Sequence, residues 1–266
     1  MRQTFGCFAA LLVTLLPYKS RADVTSVKSV PSPAQRSSQA GQQSKEAEKE
    51  YRRGVQFADG NGVERDYAQA AQLYRSAAEK GHAAAQYDLA YLYARGLGVS
   101  QDWKRAAYWY RKAALQGDVE AQNNLGALYA TGRGVARNDR EALHWYRLAA
   151  RQDDPEATCN LGSMYFQGRA VKRDYARAFE LFRKAAELGY AVAQNNLALM
   201  YANGQAVARN YAWAYAWLDI ASEQISACAQ LRDRIGKEMP SEDIARAQDL
   251  AARERALIST KAGASK

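Results

Sequence analysis

The side chains that most often carry out chemistry are sparse in this chain of 266 residues. Its two histidines, His82 and His144, fall on different predicted elements and are interpreted as surface residues rather than bases or metal ligands. Asp153 and Asp154 are adjacent, which suits helix capping better than a convergent catalytic pair. No serine has a lysine three positions later, and the GxSxG, HExxH, P-loop and GxGxxG motifs are absent. The sequence therefore predicts a protein that is not an enzyme, with no catalytic residue, no metal site and no cofactor.

The cysteines leave the question of a disulfide open. Cys159 and Cys228 follow neither a CxxC pattern nor a metal-binding spacing, and Cys7 lies in an N-terminal apolar run without the context of a lipobox. An oxidising compartment would permit a bridge between Cys159 and Cys228. The repeat register described below places them more than one helix pair apart, which argues against that bridge.

Residues 1–22 have the pattern of a secretory signal peptide. Arg2 supplies a basic start, residues 4–16 (TFGCFAALLVTLL) are mostly apolar, and residues 20–22 (SRA) offer a cleavage site. A membrane anchor is the alternative, but the run is shorter than the roughly 20 apolar residues that span a bilayer. We therefore expect export, with the periplasm as the first location and a secreted or surface-associated protein as the alternative. No transmembrane segment is expected after cleavage.

The charge balance is mildly basic. The whole chain carries a formal charge of +9, and loss of Arg2, Lys19 and Arg21 with the leader would lower it to +6. Basic residues alternate with acids, as in ERD at 64–66 and KRD at 172–174. Because nucleic-acid binding requires basic residues clustered on one face, we expect no nucleic-acid partner. A weak preference for anionic partners such as envelope polysaccharide is compatible with this charge.

The chain repeats itself at a spacing of 36 residues, through five copies without a gap. One glycine and one valine recur in every copy: Gly60, Gly96, Gly132, Gly168, Gly204 and Val63, Val99, Val135, Val171, Val207. Two alanine positions do the same: Ala70, Ala106, Ala142, Ala178, Ala214 and Ala77, Ala113, Ala149, Ala185, Ala221. Two further positions are mostly aromatic: Phe57, Tyr93, Tyr129, Tyr165, Tyr201 and Tyr74, Tyr110, Tyr146, Phe182, with Leu218 last. Such periodicity indicates stacked structural repeats.

Each copy predicts two helices joined by a glycine turn. In the third copy, Ala121, Leu125, Leu128 and Tyr129 form one apolar stripe at helical spacing. Gly132 then ends the helix, because glycine readily adopts the positive φ of a helix C-terminus. An Asp or Asn stands where the second helix should begin and would cap it: Asp66, Asp102, Asn138, Asp174 and Asn210.

These positions resemble the Sel-1-like repeat, a relative of the tetratricopeptide repeat with a longer turn inside each helix pair. The pattern AxxxLGxxYxxGxGVxxDxxxAxxWYxxAAxxG carries the resemblance, most completely in copies two and three. Copies four and five have Ala170 and Ala206 at the second glycine, and copy one has Arg53 in place of the leucine. The resemblance implies an all-α protein, a right-handed α/α solenoid of about five 36-residue repeats with a C-terminal capping helix. The predicted repeats are 46–81, 82–117, 118–153, 154–189 and 190–225, and we expect a monomer.

The composition changes on both sides of the repeats. Residues 23–45 are rich in Ser, Gln and Pro with little aliphatic bulk, and are predicted to be a disordered linker. Residues 226–258, which include an amphipathic segment from Ser241 to Leu257, are predicted to form helices that cap the open end of the solenoid. Residues 259–266 are expected to be a flexible tail.

The resemblance also implies that the first helix of each pair lines a concave groove, where positions not needed by the core would contact a partner. The candidate residues are Tyr51, Tyr87, Tyr91, Arg95, Asn123, Asn195 and Asn203. Tyr91 is the most informative, because its counterparts in the other copies are not aromatic: Val55, Ala127, Ser163 and Leu199. A ladder of Asn124, Asn160 and Asn196 either grips a ligand backbone or satisfies a turn carbonyl of the adjacent repeat.

Two functions stay open on these grounds. The first is a non-enzymatic protein–protein interaction scaffold or regulator of the cell envelope, with a protein or peptide partner. The second is a glycan-binding or host-interaction envelope protein that recognises peptidoglycan or exopolysaccharide. Aromatic and amide side chains suit both an extended peptide and a glycan. Some members of the family are described as hydrolysing β-lactams, but no motif in this chain supports that activity.

Overall fold

A computed structural model of the protein describes residues 33–264. This part of the chain contains helices and no strand. The helices are α1 (Pro33–Asp59), α2 (Tyr67–Glu79), α3 (Ala83–Arg95), α4 (Trp103–Leu115), α5 (Val119–Thr131), α6 (Asp139–Ala150), α7 (Pro155–Gln167), α8 (Tyr175–Glu187), α9 (Ala191–Asn203), α10 (Tyr211–Ala221), α11 (Ser226–Gly236) and α12 (Ser241–Ala264). Five helix pairs, α1–α2 to α9–α10, follow the five sequence repeats. The prediction of an all-α repeat solenoid is confirmed.

The chain divides into two units, residues 1–39 and 40–266. The described part of the first unit is the opening of α1, from Pro33 onward. The second unit contains the rest of α1 and all the other helices. The predicted signal peptide, residues 1–22, lies outside the described residues.

The ends of the helices lie where the repeat pattern predicts them. Asp66 accepts hydrogen bonds from the backbone N–H groups of Ala68 and Gln69, and so caps α2. The corresponding residues cap the other second helices in the same way: Asp102, Asn138, Asp174 and Asn210. At the end of α3, Gly96 has a φ of 70°, the left-handed conformation that glycine adopts at little cost. The predicted turn between the two helices of each pair is confirmed.

Small residues and aromatic rings form the core. The ten alanines at the two recurring positions are all 0% exposed, which lets neighbouring helices approach closely. One large side chain per repeat fills the space that remains: Tyr74, Tyr110, Tyr146, Phe182 and Leu218. Since each helix pair buries its apolar face against the next, stability comes from the contacts between neighbouring repeats.

The C-terminal helices cover the last pair. Helix α12 packs against α10, with Ala247 and Ala251 fully buried. Arg255 bridges to Asp219 of α10 at 2.9 Å. The expected tail at 259–266 is wrong as far as Ala264, because α12 continues to that residue.

The expected linker at 23–45 is wrong for residues 33–45, which belong to α1. Pro33 is the first helical residue, where a missing N–H costs nothing, and the residues after it include many good helix formers and no further proline. Residues 41–45 of this helix are exposed, and residues 23–32 lie outside the described part of the chain.

Candidate functional site

A cavity of about 600 Å³ opens between the second and third repeats. Three of the predicted partner-binding residues, Tyr87, Tyr91 and Arg95, lie together in its wall. We call this cavity the aromatic groove, and its lining residues are Tyr87, Tyr91, Ala94, Arg95, Gln101, Trp103, Tyr110, Asn124, Ala127, Leu128, Thr131, Arg133 and Glu156. They come from α3, the turn after α3, α4, α5, the turn after α5 and the first turn of α7.

Helix α3 positions one wall of the aromatic groove. Tyr87, Tyr91 and Arg95 follow one another at four-residue intervals, so they lie along one side of the helix. The ring of Tyr87 packs on that of Tyr110 at 5.7 Å, and the Arg95 guanidinium stacks on Tyr91 at 5.5 Å. Tyr91 is nevertheless 39% exposed. A large side chain is thus presented to solvent at a position where the other repeats carry smaller ones.

The opposite wall contains residues that sequence reasoning missed. Arg133, in the turn after α5, stacks on the indole of Trp103 at 5.2 Å. Asn124 and Thr131 of α5 lie beside them. The residues predicted to line the groove all lie on the first helix of a pair, whereas Trp103 begins a second helix and Arg133 lies in a turn. The register gave no signal for either residue, because Trp103 has aromatic counterparts at Tyr67, Tyr175 and Tyr211 and Arg133 has an identical counterpart at Arg169.

Three carboxylates influence one another where the second repeat meets the third: Asp88 and Asp118, which are half-buried, and Glu120, which is exposed. The pKa of Asp88 is raised to about 6, chiefly by burial; a hydrogen bond from Tyr51 opposes the shift, and the nearby carboxylates of Asp118 and Glu120 add to it. The Tyr87 hydroxyl donates to Glu120, and burial followed by this hydrogen bond raises its pKa well above the ordinary value. Tyr87 is therefore held by the scaffold, and only part of its ring faces the groove.

Tyr51 lies apart from the aromatic groove. Its ring stacks on His82 at 4.5 Å, and its hydroxyl donates to Asp88. His82 itself caps α3 and contacts Glu48 at 2.9 Å. The expectation that Tyr51 shares a surface with Tyr87 and Tyr91 is wrong, because the Tyr51 ring is used in the contact between the first two repeats.

Two of the predicted asparagines form hydrogen bonds inside the protein, one with the next repeat and one with the capping helix α11. Asn123 is 5% exposed and accepts a hydrogen bond from Asn160 at 3.0 Å. The prediction that Asn123 contacts a partner is therefore wrong. Asn195 is half-buried and accepts a hydrogen bond from the Cys228 thiol at 3.5 Å.

Two residues of the asparagine ladder form hydrogen bonds that neither sequence interpretation predicted. Asn160 and Asn196 donate to side chains of the preceding repeat, Asn123 and Cys159, rather than to a turn carbonyl. Only Asn124 of the ladder lines the aromatic groove. The carbonyls at the ends of second helices are instead reached by a buried glutamine series, which sequence reasoning missed: Gln86 to Ala78, Gln122 to Ala114 and Gln194 to Ala186.

Asn203 lies in a second, smaller cavity of about 270 Å³ between the fourth and fifth repeats. We call it the amide groove. It is lined by Ser163, Phe166, Gln167, Phe182, Asn196, Leu199, Met200, Asn203 and Gln205. It lacks charged residues.

The residues considered for chemistry have structural roles or stand alone. Cys159 and Cys228 are buried and not bonded to each other, and burial raises the pKa of Cys159 to about 12. His144 is exposed and contacts the edge of Trp145. Among residues 33–264, no three His, Cys, Asp or Glu side chains converge as they would around a metal ion. No helix in the same range combines the length and apolarity required to cross a bilayer.

Fold and grooves together define a solenoid of helix-pair repeats. The sequence matches the Sel1 repeat five times, at residues 50–82, 83–118, 119–154, 155–190 and 191–226. The chain therefore belongs to the Sel1 repeat family, and the resemblance seen in the sequence is confirmed. Sel1 repeats generally form a non-catalytic fold that mediates protein interactions.

Solved structures of other family members share the architecture. A Sel1 repeat protein from Oxalobacter formigenes is 31% identical with a TM-score of 0.70, over 78% of this chain and 86% of that one. A protective antigen present in uropathogenic Escherichia coli strains, displaying an SLR fold, is 29% identical with a TM-score of 0.53. That match covers 82% of this chain and 55% of the antigen, so this chain spans about half the antigen's length. No curated protein matches the sequence.

Proposed function

We propose that this protein is a non-enzymatic interaction scaffold or regulator of the cell envelope, and that it binds a segment of a protein partner in the aromatic groove. The observation that carries the proposal is the position of Tyr87, Tyr91 and Arg95 in one open cavity of about 600 Å³. Aromatic side chains and arginine are the residues that most often dominate binding energy at protein interfaces. The envelope location rests on the signal-like pattern of residues 1–22.

Tyr91 supports the proposal because the fold does not require it. The corresponding residue in the next repeat is Ala127, which also lies in the groove wall. Tyr91 keeps 39% of its surface exposed although a smaller residue would suffice for packing. Its ring and the stacked Arg95 are already ordered against each other, so a partner would lose little additional side-chain entropy on binding there.

A double variant, Tyr87→Ala with Tyr91→Ala, tests the proposal. The purified protein would be immobilised and used to capture proteins from bacterial envelope extracts, and the captured species would be quantified by mass spectrometry. We expect capture of the specific partner to fall at least tenfold, which corresponds to about 1.4 kcal/mol. The helical circular dichroism signal should stay unchanged.

Controls separate binding from folding. Tyr108→Ala removes another exposed tyrosine, 54% exposed on α4 and outside the groove, and should leave capture intact. Tyr91→Ala alone, which copies Ala127, should retain the wild-type melting temperature and still weaken capture. Unchanged capture by a folded double variant would refute the groove as the partner site.

A glycan is the second candidate partner, because aromatic and amide side chains line both grooves. Under that alternative, purified cell-wall material rather than envelope protein would retain the protein, and loss of Tyr91 would weaken that retention. Capture of envelope proteins without retention by the wall fraction would exclude it.

A further inference from the structure

Two arginines in the aromatic groove have no carboxylate partner. Arg95 stacks on Tyr91 and Arg133 on Trp103, and neither forms an ion pair with any residue between 33 and 264. Stacking on a ring leaves the N–H edges of a guanidinium available, and these edges match a carboxylate in a two-pronged geometry. The groove therefore presents unused donors and positive charge.

The next repeat shows what the same arginine does when it is neutralised. Arg169 occupies the position of Arg133 one repeat later, and it donates to the Asp139 carboxylate at 3.1 Å and to the Ala130 carbonyl at 2.9 Å. The residue in register with Asp139 one repeat earlier is Trp103. The position is aromatic in the other copies (Tyr67, Tyr175 and Tyr211), so Asp139 is the exception. Trp103 offers no carboxylate to Arg133 and provides an indole on which the guanidinium stacks.

The backbone carbonyl in this repeat is also already satisfied. The Ala94 carbonyl, which corresponds to that of Ala130, accepts a hydrogen bond from the side chain of Gln101 at 2.8 Å. Arg133 is therefore free of both structural tasks that Arg169 performs. An arginine with no structural partner, held at the wall of an open cavity, is suited to binding an anion from outside.

We propose that the aromatic groove recognises a peptide segment of a protein partner through a single carboxylate, which Arg95 and Arg133 bind by charge-assisted hydrogen bonds. This inference rests on the proposed function and adds the chemistry of the partner. The tyrosines and Trp103 supply apolar contact on either side of the carboxylate. Glu156 in the same cavity opposes a run of acids, so one carboxylate is bound and consecutive acids are rejected.

Matched peptide pairs test the proposal on the whole purified protein. An array of random 12-residue peptides would be synthesised with Asp and Glu intact or replaced by Asn and Gln, each with a C-terminal amide or a free carboxylate. We expect the bound peptides to lose at least tenfold in affinity when the acids are replaced. Binding by amidated acidic peptides identifies a side-chain carboxylate, and binding only by free acids identifies the chain terminus.

Two variants abolish the anion site in different ways. Arg133→Gln removes the charge, and Trp103→Asp supplies the internal partner that Asp139 supplies to Arg169. Asp139 begins α6 as Trp103 begins α4, so an acid is compatible with this helical position. Both variants should lose at least tenfold in binding to acidic peptides. Arg173→Gln, which alters an arginine stacked on Tyr175 outside the groove, should bind as the wild type does.

The outcomes separate this inference from the function on which it rests. If peptide binding requires Tyr91 but persists in Arg133→Gln, or persists when the acids are replaced, the carboxylate site is wrong. The aromatic groove would then still be the protein-binding site. If capture of envelope proteins does not depend on Tyr87 and Tyr91, both the carboxylate site and the proposed function are wrong. Arg133-dependent binding of oligogalacturonate, with no peptide bound by the wild type, would also overturn the inference in favour of an acidic glycan.

Discussion

The second and third repeats differ from the fourth and fifth in the side chains they place around a groove of the same backbone. The aromatic groove contains Tyr91, Trp103 and two unpaired arginines in about 600 Å³, whereas the amide groove contains uncharged residues in about 270 Å³. Between these two grooves, at the boundary of the third and fourth repeats, Arg169 forms an ion pair with Asp139. One scaffold can therefore carry a charged, aromatic surface and a neutral one, because the core alanines and turns are independent of the residues that line the groove.

Removal of α12 should produce the largest effect and should affect the two regions unequally. Termination after Pro240 uncovers the face of α10 on which Ala247 and Ala251 pack and removes the Arg255–Asp219 ion pair. We expect the free energy of unfolding to fall by several kcal/mol, with the fifth repeat unfolding first. Hydrogen exchange would show this loss of protection in α9 and α10. If α3 to α5 lost protection equally, the repeats around the two grooves would depend on α12 for stability to the same extent.

The contact between the second and third repeats depends on Gly134. It has a φ of +71°, and a Cβ there would collide with the backbone of Trp103 and Lys104. We expect Gly134→Ala to reduce the free energy of unfolding by about 2–4 kcal/mol, from the positive φ and the overpacking together.

Gly62→Ala is the matched control for Gly134→Ala. Gly62 occupies the same register with a φ of +76° but has no atom within 4 Å of an added Cβ. Gly62→Ala should therefore reduce the free energy of unfolding only through backbone strain, by about 1 kcal/mol. Urea unfolding of both variants measures the difference, and equal costs would mean that the two repeats are not in close contact at Gly134.

Asp88 should make the first two repeats sensitive to pH. Its carboxyl titrates near pH 6 in the folded protein and near its ordinary value of 3.8 when unfolded. The stability that the protonated form contributes is fully present below about pH 4 and is lost as the pH rises through 6. Asp88→Asn keeps an oxygen acceptor for Tyr51, and should exceed the wild type in stability by about 1–3 kcal/mol at pH 7 and by nothing at pH 4.

Asp139, in the third repeat, should make stability depend on pH in the opposite sense. Hydrogen bonds from Arg169 lower its pKa to about 2. Its contribution to stability is therefore present above about pH 4 and lost as the pH falls through 2. Asp139→Asn should be less stable than the wild type at pH 7, so urea titrations of the two variants should diverge in opposite directions. If both substitutions changed the stability at pH 7 in the same direction, the environments assigned to Asp88 and Asp139 would be wrong.

The smallest effect is expected at Ala170, which takes the place of Gly134 at the contact between the third and fourth repeats. Ala170 has a φ of +56°, an unfavourable conformation for a residue with a Cβ. Ala170→Gly should relieve that strain but increase the conformational entropy of the unfolded chain, for a net gain in stability of at most about 1 kcal/mol. A clear loss of stability on thermal unfolding would show that the Ala170 methyl group makes a packing contact that outweighs the strain.

Much of the scaffold follows from the sequence because its determinants are local. Asp102 caps the helix that begins beside it, and Gly96 ends a helix through its own φ angle. The repetition of such signals at 36 residues is enough to predict the helix pairs and the buried alanines. The errors at residues 33–45 and 259–264 arose where no repeat was present and composition was the only guide.

The sequence by itself determined the repeat, the family and the wall of the groove that lies on a single helix, since Tyr87, Tyr91 and Arg95 are successive turns of α3. Only the tertiary structure decided that Tyr51 and Asn123 are used between repeats and that Arg133 faces the groove from above Trp103, thirty positions earlier in the chain. The physical reason is that these side chains reach across a repeat boundary. Their environment depends on the packing distance and orientation of neighbouring helix pairs, which the 36-residue register does not encode.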